Sequence, residues 1–157
     1  VLETPALYLE IGSTIEQWED VRAARVWSKT IALCLGIPEY SSKKDWDGSG
    51  RVMIGLGGGH YAPRHKAVIS ESDVWVGHIL ANYAIVFEGQ QGNPLPSGPW
   101  AHSVRTAVES TRAAFPGGDI FVHLDRKSFK GWQRTALANL LSELGVPILR
   151  GKQICPP

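Results

Sequence analysis

Residues 51–60 read RVMIGLGGGH, a short apolar run that leads into three glycines and a histidine. A compact apolar run that ends at glycine is typical of a buried β-strand. In open α/β sheets, ligands bind beyond the carboxyl ends of the strands. We therefore expect residues 51–56 to form a strand and the loop that follows to belong to a functional site.

The rest of the chain alternates between strand patterns and helix patterns. We predict further strands at 7–12, 120–124 and 146–149, and helices over about 14–35, 97–115 and 128–144. Residues 74–86 are mostly apolar and fit a strand, a helix, or one after the other, whereas residues 64–73 are too mixed to assign. This alternation requires right-handed crossovers. It predicts a three-layer α/β fold with a mostly parallel sheet and helices on both faces.

Length and composition restrict the class of protein. The 157 residues are 43% hydrophobic and 20% charged, which is ordinary for one soluble globular domain over residues 1–157. The two cysteines are far apart and no 18-residue apolar run occurs, so we expect a cytoplasmic protein without a membrane span. The chain opens without a methionine, which suggests a piece of a longer protein. The net charge of +1 means that any contact with nucleic acid must be local.

Polar residues cluster where three of the predicted strands end. Glu10 closes the first strand, residues 57–65 close the second, and His123 with Asp125 closes the third. Carboxyl ends of parallel strands meet at one edge of a sheet, so we expect these clusters to converge.

The glycine loop fits neither of the common phosphate-binding motifs. No Gly-Lys-Ser/Thr follows it, and no Gly-x-Gly-x-x-Gly opens a helix. The amides of Gly57, Gly58 and Gly59 could still form a concavity for an anion. An ordinary glycine turn is the alternative, and the histidine directly after the glycines favours a functional role.

Four of the five histidines lie in this loop or at predicted strand ends, namely His60, His65, His78 and His123. A neutral imidazole serves as a general base or as a metal ligand near pH 7. These histidines, with Glu10 or Asp125, could hold zinc, although their spacing matches no compact metal motif. A structural role is the alternative for His65 and His78 taken singly.

Basic and aromatic residues alternate over 125–134, where a helix is predicted to begin. Such alternation suits phosphate contacts and base stacking. The alternative is a solvated helix face with Phe129 and Trp132 buried, and for these two aromatic residues we favour it.

Taken together, these segments resemble the D-aminoacyl-tRNA deacylase family of archaea and plants. The matching blocks, in chain order, are LEIGST at 9–14, GLGGGHYAPRH at 55–65, WVGHIL at 75–80, FPGG at 115–118 and HLDRKSFKGWQ at 123–133. The resemblance implies a phosphorylase/peptidyl-tRNA-hydrolase-like fold and hydrolysis of the ester that joins a D-amino acid to the 3′ end of tRNA. It also implies an association with zinc. Full-length relatives carry a His-His-Gly-Pro element before the first strand, and this chain begins after the point where that element would lie.

We assign roles on this basis, with water attacking the ester carbonyl. The candidate catalytic residues are His60, Glu10 and His78; the candidate substrate-binding residues are Gly57, Gly58, Gly59, Tyr61, Arg64, Lys127 and Lys130; and the candidate zinc ligands are His60, His65 and His123. The expected partner is the 3′ end of an aminoacylated tRNA, with no membrane and no DNA. Two alternatives stay open: another hydrolase on this fold, acting on peptidyl-tRNA or on nucleosides, or a non-catalytic tRNA-binding or interaction module derived from the family.

Overall fold

A computed structural model describes residues 9–10, 14–37, 39, 45–89 and 96–155. The chain divides into a smaller unit over residues 2–47 and a larger unit over residues 48–157. The expectation of one domain over residues 1–157 stays a prediction.

The smaller unit contains helices α1 (Ile15–Trp18) and α2 (Val21–Cys34). The sequence predicted one continuous helix here. The helix is interrupted because Asp20 caps a new one, its Oδ1 accepting a hydrogen bond from the Arg22 amide at 2.8 Å. Most of the predicted strand at 7–12 lies outside the described residues, and Leu9 and Glu10 are without regular structure.

The larger unit contains a four-stranded sheet. Its strands are β1 (Arg51–Leu56), β2 (Trp75–Leu80), β3 (Asp119–Leu124) and β4 (Ile148–Leu149). They lie in the order β2-β1-β3-β4, and every neighbouring pair is parallel. This arrangement confirms the predicted parallel sheet. It places β1, which leads into the glycine loop, between β2 and β3.

The described part of the larger unit also contains four α-helices. They are α3 (Pro63–Ser70), α4 (Trp100–Ala114), α5 (Gly131–Glu143) and α6 (Gly151–Ile154). Short 3₁₀ helices occur at Asn82–Ala84 and Arg126–Ser128. No helix in the described part of the chain is long and apolar enough to cross a bilayer.

The sheet is covered on both faces, because the side chains of its central strands alternate between two cores. Ile54 and Leu56 of β1 pack with Val104 of α4 and Leu141 of α5. On the opposite face the core contains Met53 of β1, Phe121 of β3, Val68 of α3 and Ile154 of α6, which are all buried. The three-layer prediction is therefore confirmed for this unit.

One segment left unassigned by the sequence and one helix boundary are explained by local structure. The unassigned segment after the glycine loop is α3, which begins at Pro63, a residue pre-organised for the first helical position. The last long helix begins at Gly131 rather than 128, because the preceding residues form a 3₁₀ turn and the Lys130 amide bonds the Gln133 side chain at 2.8 Å.

Candidate functional site

The carboxyl ends of β1 and β3 lie side by side. Leu56 pairs with Leu124 in the parallel register, and the amide of Asp125 donates to the carbonyl of Leu56 at 2.9 Å. The glycine loop and the His123–Asp125 cluster therefore converge at one edge of the sheet, as the sequence predicted. Glu10 belongs to the smaller unit, and its catalytic role stays a prediction.

The first two glycines of the loop form internal hydrogen bonds. Gly57 donates to the carbonyl of Leu80 at 2.8 Å, and Gly58 donates to the Ser128 hydroxyl at 2.7 Å. Both are buried and have positive φ angles, of 92° and 86°. Because these amides already have partners, an anion-binding concavity built from all three glycines is not present in this arrangement. Gly59 is exposed.

Close packing explains why the loop begins with glycine. A Cβ atom at Gly57 would lie 2.8 Å from the ring of Phe129 and 2.9 Å from Cβ of Ser128. Phe129 is buried, as expected if this segment is a solvated helix face whose aromatic residues pack inward. The segment after β3 therefore forms one wall of the glycine loop.

His65 and His123 form a buried pair at this edge. Their Nδ1 atoms are 2.8 Å apart, and Nε2 of His65 lies 3.2 Å from the carbonyl oxygen of Gly57. Gly55 makes room for the pair, since a Cβ atom there would lie 3.0 Å from Cγ of His65. Burial lowers the pKa of both imidazoles, although the nearby Asp125 carboxylate opposes the shift. Both rings are therefore neutral near pH 7.

Asp125 is buried beside this pair. Its Oδ1 accepts hydrogen bonds from Nη1 of Arg64 and, at 3.1 Å, from the amide of Lys127. Only 4% of the residue is exposed, so the ion pair with Arg64 offsets much of the cost of burying its charge. From the sequence, Asp125 was predicted to lie in the third strand-end cluster and to be a possible metal ligand, whereas Ser128 had no predicted role. The sequence signal for the role of Asp125 was its position two residues after His123, at the end of a strand.

The pair does not fit two ligands of one zinc ion. Zinc–nitrogen bonds of 2.0–2.1 Å at a tetrahedral angle place two ligand nitrogens about 3.3 Å apart, with both lone pairs directed at the ion. Here the two Nδ1 atoms share a hydrogen bond, and the other nitrogen of His65 is bonded to Gly57. Within the described ranges, no three His, Cys, Asp or Glu residues are grouped so that they could hold a metal ion. The zinc prediction is therefore unsupported for His65 and His123.

His60 and Tyr61 lie on the outer side of the loop. Both are exposed, Tyr61 by 75%, and their rings meet edge to face with centroids 5.1 Å apart. They are the aromatic groups of the loop that a ligand could contact.

His78 lies on the other face of the sheet. Its Nδ1 is 2.9 Å from the hydroxyl of Thr111 on α4, whereas the pair His65–His123 lies on the α3 face. Burial lowers the pKa of His78. The structure therefore does not bring this candidate catalytic residue together with the paired histidines.

The candidate basic residues surround the edge of the sheet. Lys127 lies in the 3₁₀ turn after Asp125, and Lys130 directly precedes α5; both are exposed. The Arg64 side chain is 46% exposed while it pairs with Asp125. These three residues can reach a polyanion from solvent.

The chain is similar to known proteins. The sequence profile of the D-aminoacyl-tRNA deacylase family matches residues 1–149. Curated proteins named D-aminoacyl-tRNA deacylase are similar to this chain: one from Arabidopsis thaliana is 40% identical over 157 residues, with 94% of this chain and 50% of the relative covered. One from Methanosarcina mazei is 32% identical, with coverage of 98% and 42%.

A crystal structure of a conserved protein of unknown function shares the fold, with a TM-score of 0.60 and 24% identity, over 91% of this chain and 42% of that chain. The chain spans about half the length of the curated relatives it matches.

Proposed function

The chain belongs to the D-aminoacyl-tRNA deacylase family, and on that premise we propose that the protein hydrolyses the ester of D-aminoacyl-tRNA to release tRNA and a free D-amino acid. The observation that carries this proposal is the buried His65–His123 pair beside Asp125, at the edge where the glycine loop lies. Buried titratable groups at the carboxyl edge of a parallel sheet are typical of an active site.

We place the reacting ester over the glycine loop. His60 and Tyr61 are exposed there and would contact the aminoacyl group or the terminal adenosine. We take water as the nucleophile, because the described residues at this edge do not form a serine–histidine–aspartate arrangement that would support a covalent intermediate. A neutral imidazole of this pair can accept a proton from that water.

The tRNA would bind along the exposed cations at the same edge. Arg64, Lys127 and Lys130 can contact phosphates near the acceptor end without any need for a strongly basic protein. We propose a cytoplasmic location, because aminoacylated tRNA is a substrate of cytoplasmic translation.

The experiment compares three substrates with the full-length protein: D-aminoacyl-tRNA, the L-aminoacyl-tRNA of the same tRNA, and its N-acetylated L form. We expect rapid release of the D-amino acid and slow cleavage of the other two. Preferential cleavage of the N-acetylated substrate would instead indicate a peptidyl-tRNA hydrolase. Binding of tRNA without any cleavage would support the non-catalytic module.

A further inference from the structure

The hydrogen bonds of His65 determine its tautomer. A carbonyl oxygen can only accept, so Nε2 of His65 must carry the proton that bonds Gly57. A neutral imidazole has one N–H group, which leaves Nδ1 of His65 as a hydrogen-bond acceptor.

The tautomer of His123 follows from that of His65. Since Nδ1 of His65 accepts, Nδ1 of His123 donates across the 2.8 Å contact. In the neutral ring the lone pair of His123 is therefore on Nε2. These hydrogen bonds link the Gly57 carbonyl to His65 and His65 to His123. As a result, the basic nitrogen of His123 is Nε2, which does not take part in the contact between the two rings.

That nitrogen is not completely enclosed, although its residue is almost buried. His123 is 8% exposed, and its hydrogen bond to another described residue is made by Nδ1. Within the part of the chain that the structure describes, no fully buried side-chain nitrogen or oxygen lacks a partner. Nε2 of His123 has no hydrogen-bond partner among these residues, so it is not fully buried.

We propose that Nε2 of His123 is the proton acceptor for the attacking water, and that His65 is a positioning residue that holds His123 in the Nδ1–H tautomer. This inference rests on the proposed hydrolysis. A base held in one tautomer is ready for proton transfer without a change of hydrogen bonds.

The proton balance of the step is simple. The water oxygen bonds to the ester carbonyl carbon as one water proton moves to Nε2 of His123, giving a tetrahedral oxyanion and an imidazolium. The bond between the carbonyl carbon and the ribose oxygen then breaks, and the proton passes from Nε2 to that oxygen. The buried Asp125 carboxylate stabilises the imidazolium by its charge.

The kinetic test uses the full-length protein in four variants: His123→Gln, His65→Phe, His65→Gln and, as a matched control, His102→Gln on the exposed surface of α4. Loss of a general base lowers kcat by about 100-fold or more, so we expect this for His123→Gln with little change in KM. His65→Phe removes the acceptor and lowers kcat by at least about tenfold through the wrong tautomer. His65→Gln, whose carbonyl can accept the bond, recovers part of the loss, and His102→Gln keeps wild-type rates.

A spectroscopic test is independent of activity and of variant folding. Nitrogen-15 NMR of the wild-type protein should show His65 protonated at Nε2 and His123 protonated at Nδ1. His123 protonated at Nε2 at neutral pH would overturn the inference. A folded His123→Gln variant that keeps its kcat on D-aminoacyl-tRNA would also overturn it and leave the proposed function intact. A wild-type protein that cleaves no aminoacyl-tRNA would contradict the proposed function. The NMR measurement would then still test the hydrogen bonds between His65 and His123.

Discussion

Gly77 of β2 lies directly beneath Thr111 of α4, since a Cβ atom at Gly77 would be only 2.4 Å from Cγ2 of Thr111. Thr111 is fully buried, and its hydroxyl contacts His78, the next residue along β2. Helix α4 therefore approaches the sheet at a distance that only a glycine permits. The contact holds one covering layer of the fold in place.

Substituting Gly77→Ala should destabilise the protein through overpacking, because neither the helix nor the strand can yield without loss of buried contacts. We expect the free energy of unfolding to fall by about 1–3 kcal/mol, measured by urea denaturation. Gly131→Ala is the matched control, since the nearest atom to a Cβ there is 3.9 Å away. Equal stability of the Gly77→Ala and Gly131→Ala variants would contradict the close contact.

The stability of the protein should decrease in mild acid. Burial lowers the pKa of His65 and His123 in the folded state below the unfolded value of about 6.5. Below that pH the unfolded chain binds more protons than the folded one, so the free energy of unfolding falls as the pH falls from about 6.5 toward the folded-state pKa values. Above about pH 6.5 this contribution to stability is fully present.

Denaturant midpoints measured between pH 8 and pH 5.5 check this dependence. His65→Gln should flatten the profile over that window, whereas His102→Gln on the exposed surface should leave it unchanged. A wild-type midpoint that is constant across the window would show that these imidazoles are not held neutral by the fold.

His60→Ala should slow deacylation by the full-length protein while leaving its stability nearly unchanged. His60 is exposed on the glycine loop, so its removal costs little packing, whereas the proposed ester position lies over it. Single-turnover cleavage of D-aminoacyl-tRNA and thermal unfolding measure the two effects, with His102→Ala as the matched exposed control. Wild-type cleavage by the folded His60→Ala variant would remove His60 from the site.

Lys127→Ala and Lys130→Ala should each weaken tRNA binding and reduce its dependence on salt. The slope of log K against log salt is negative, and each lost phosphate contact reduces its magnitude by about 0.7 to 0.9. The effect should be the same for different tRNAs, since phosphate contacts carry no base information. Lys152→Ala, an exposed substitution on α6, is the control. A double variant with the wild-type slope would identify this segment as an ordinary solvated surface.

Much of the fold could be predicted because it depends on local patterns. The limits of β1 were predicted to the residue, since an apolar run bounded by Arg51 and a glycine loop leaves few alternatives. Helix α3 could not be assigned, because its buried residues His65 and Val68 give too weak an apolar periodicity over eight residues. Helix α6, four residues long, gave no periodic signal at all.

The sequence by itself determined the alternation of strands and helices, the family resemblance and the position of the glycine loop, because each depends on residues close together in the chain. Only the tertiary structure decided that His65 meets His123, 58 residues away, and that Gly57 and Gly58 use their amides internally. It also placed His78 on the opposite face of the sheet. Hydrogen-bond partners distant in sequence are set by strand register and helix packing, which no local pattern specifies.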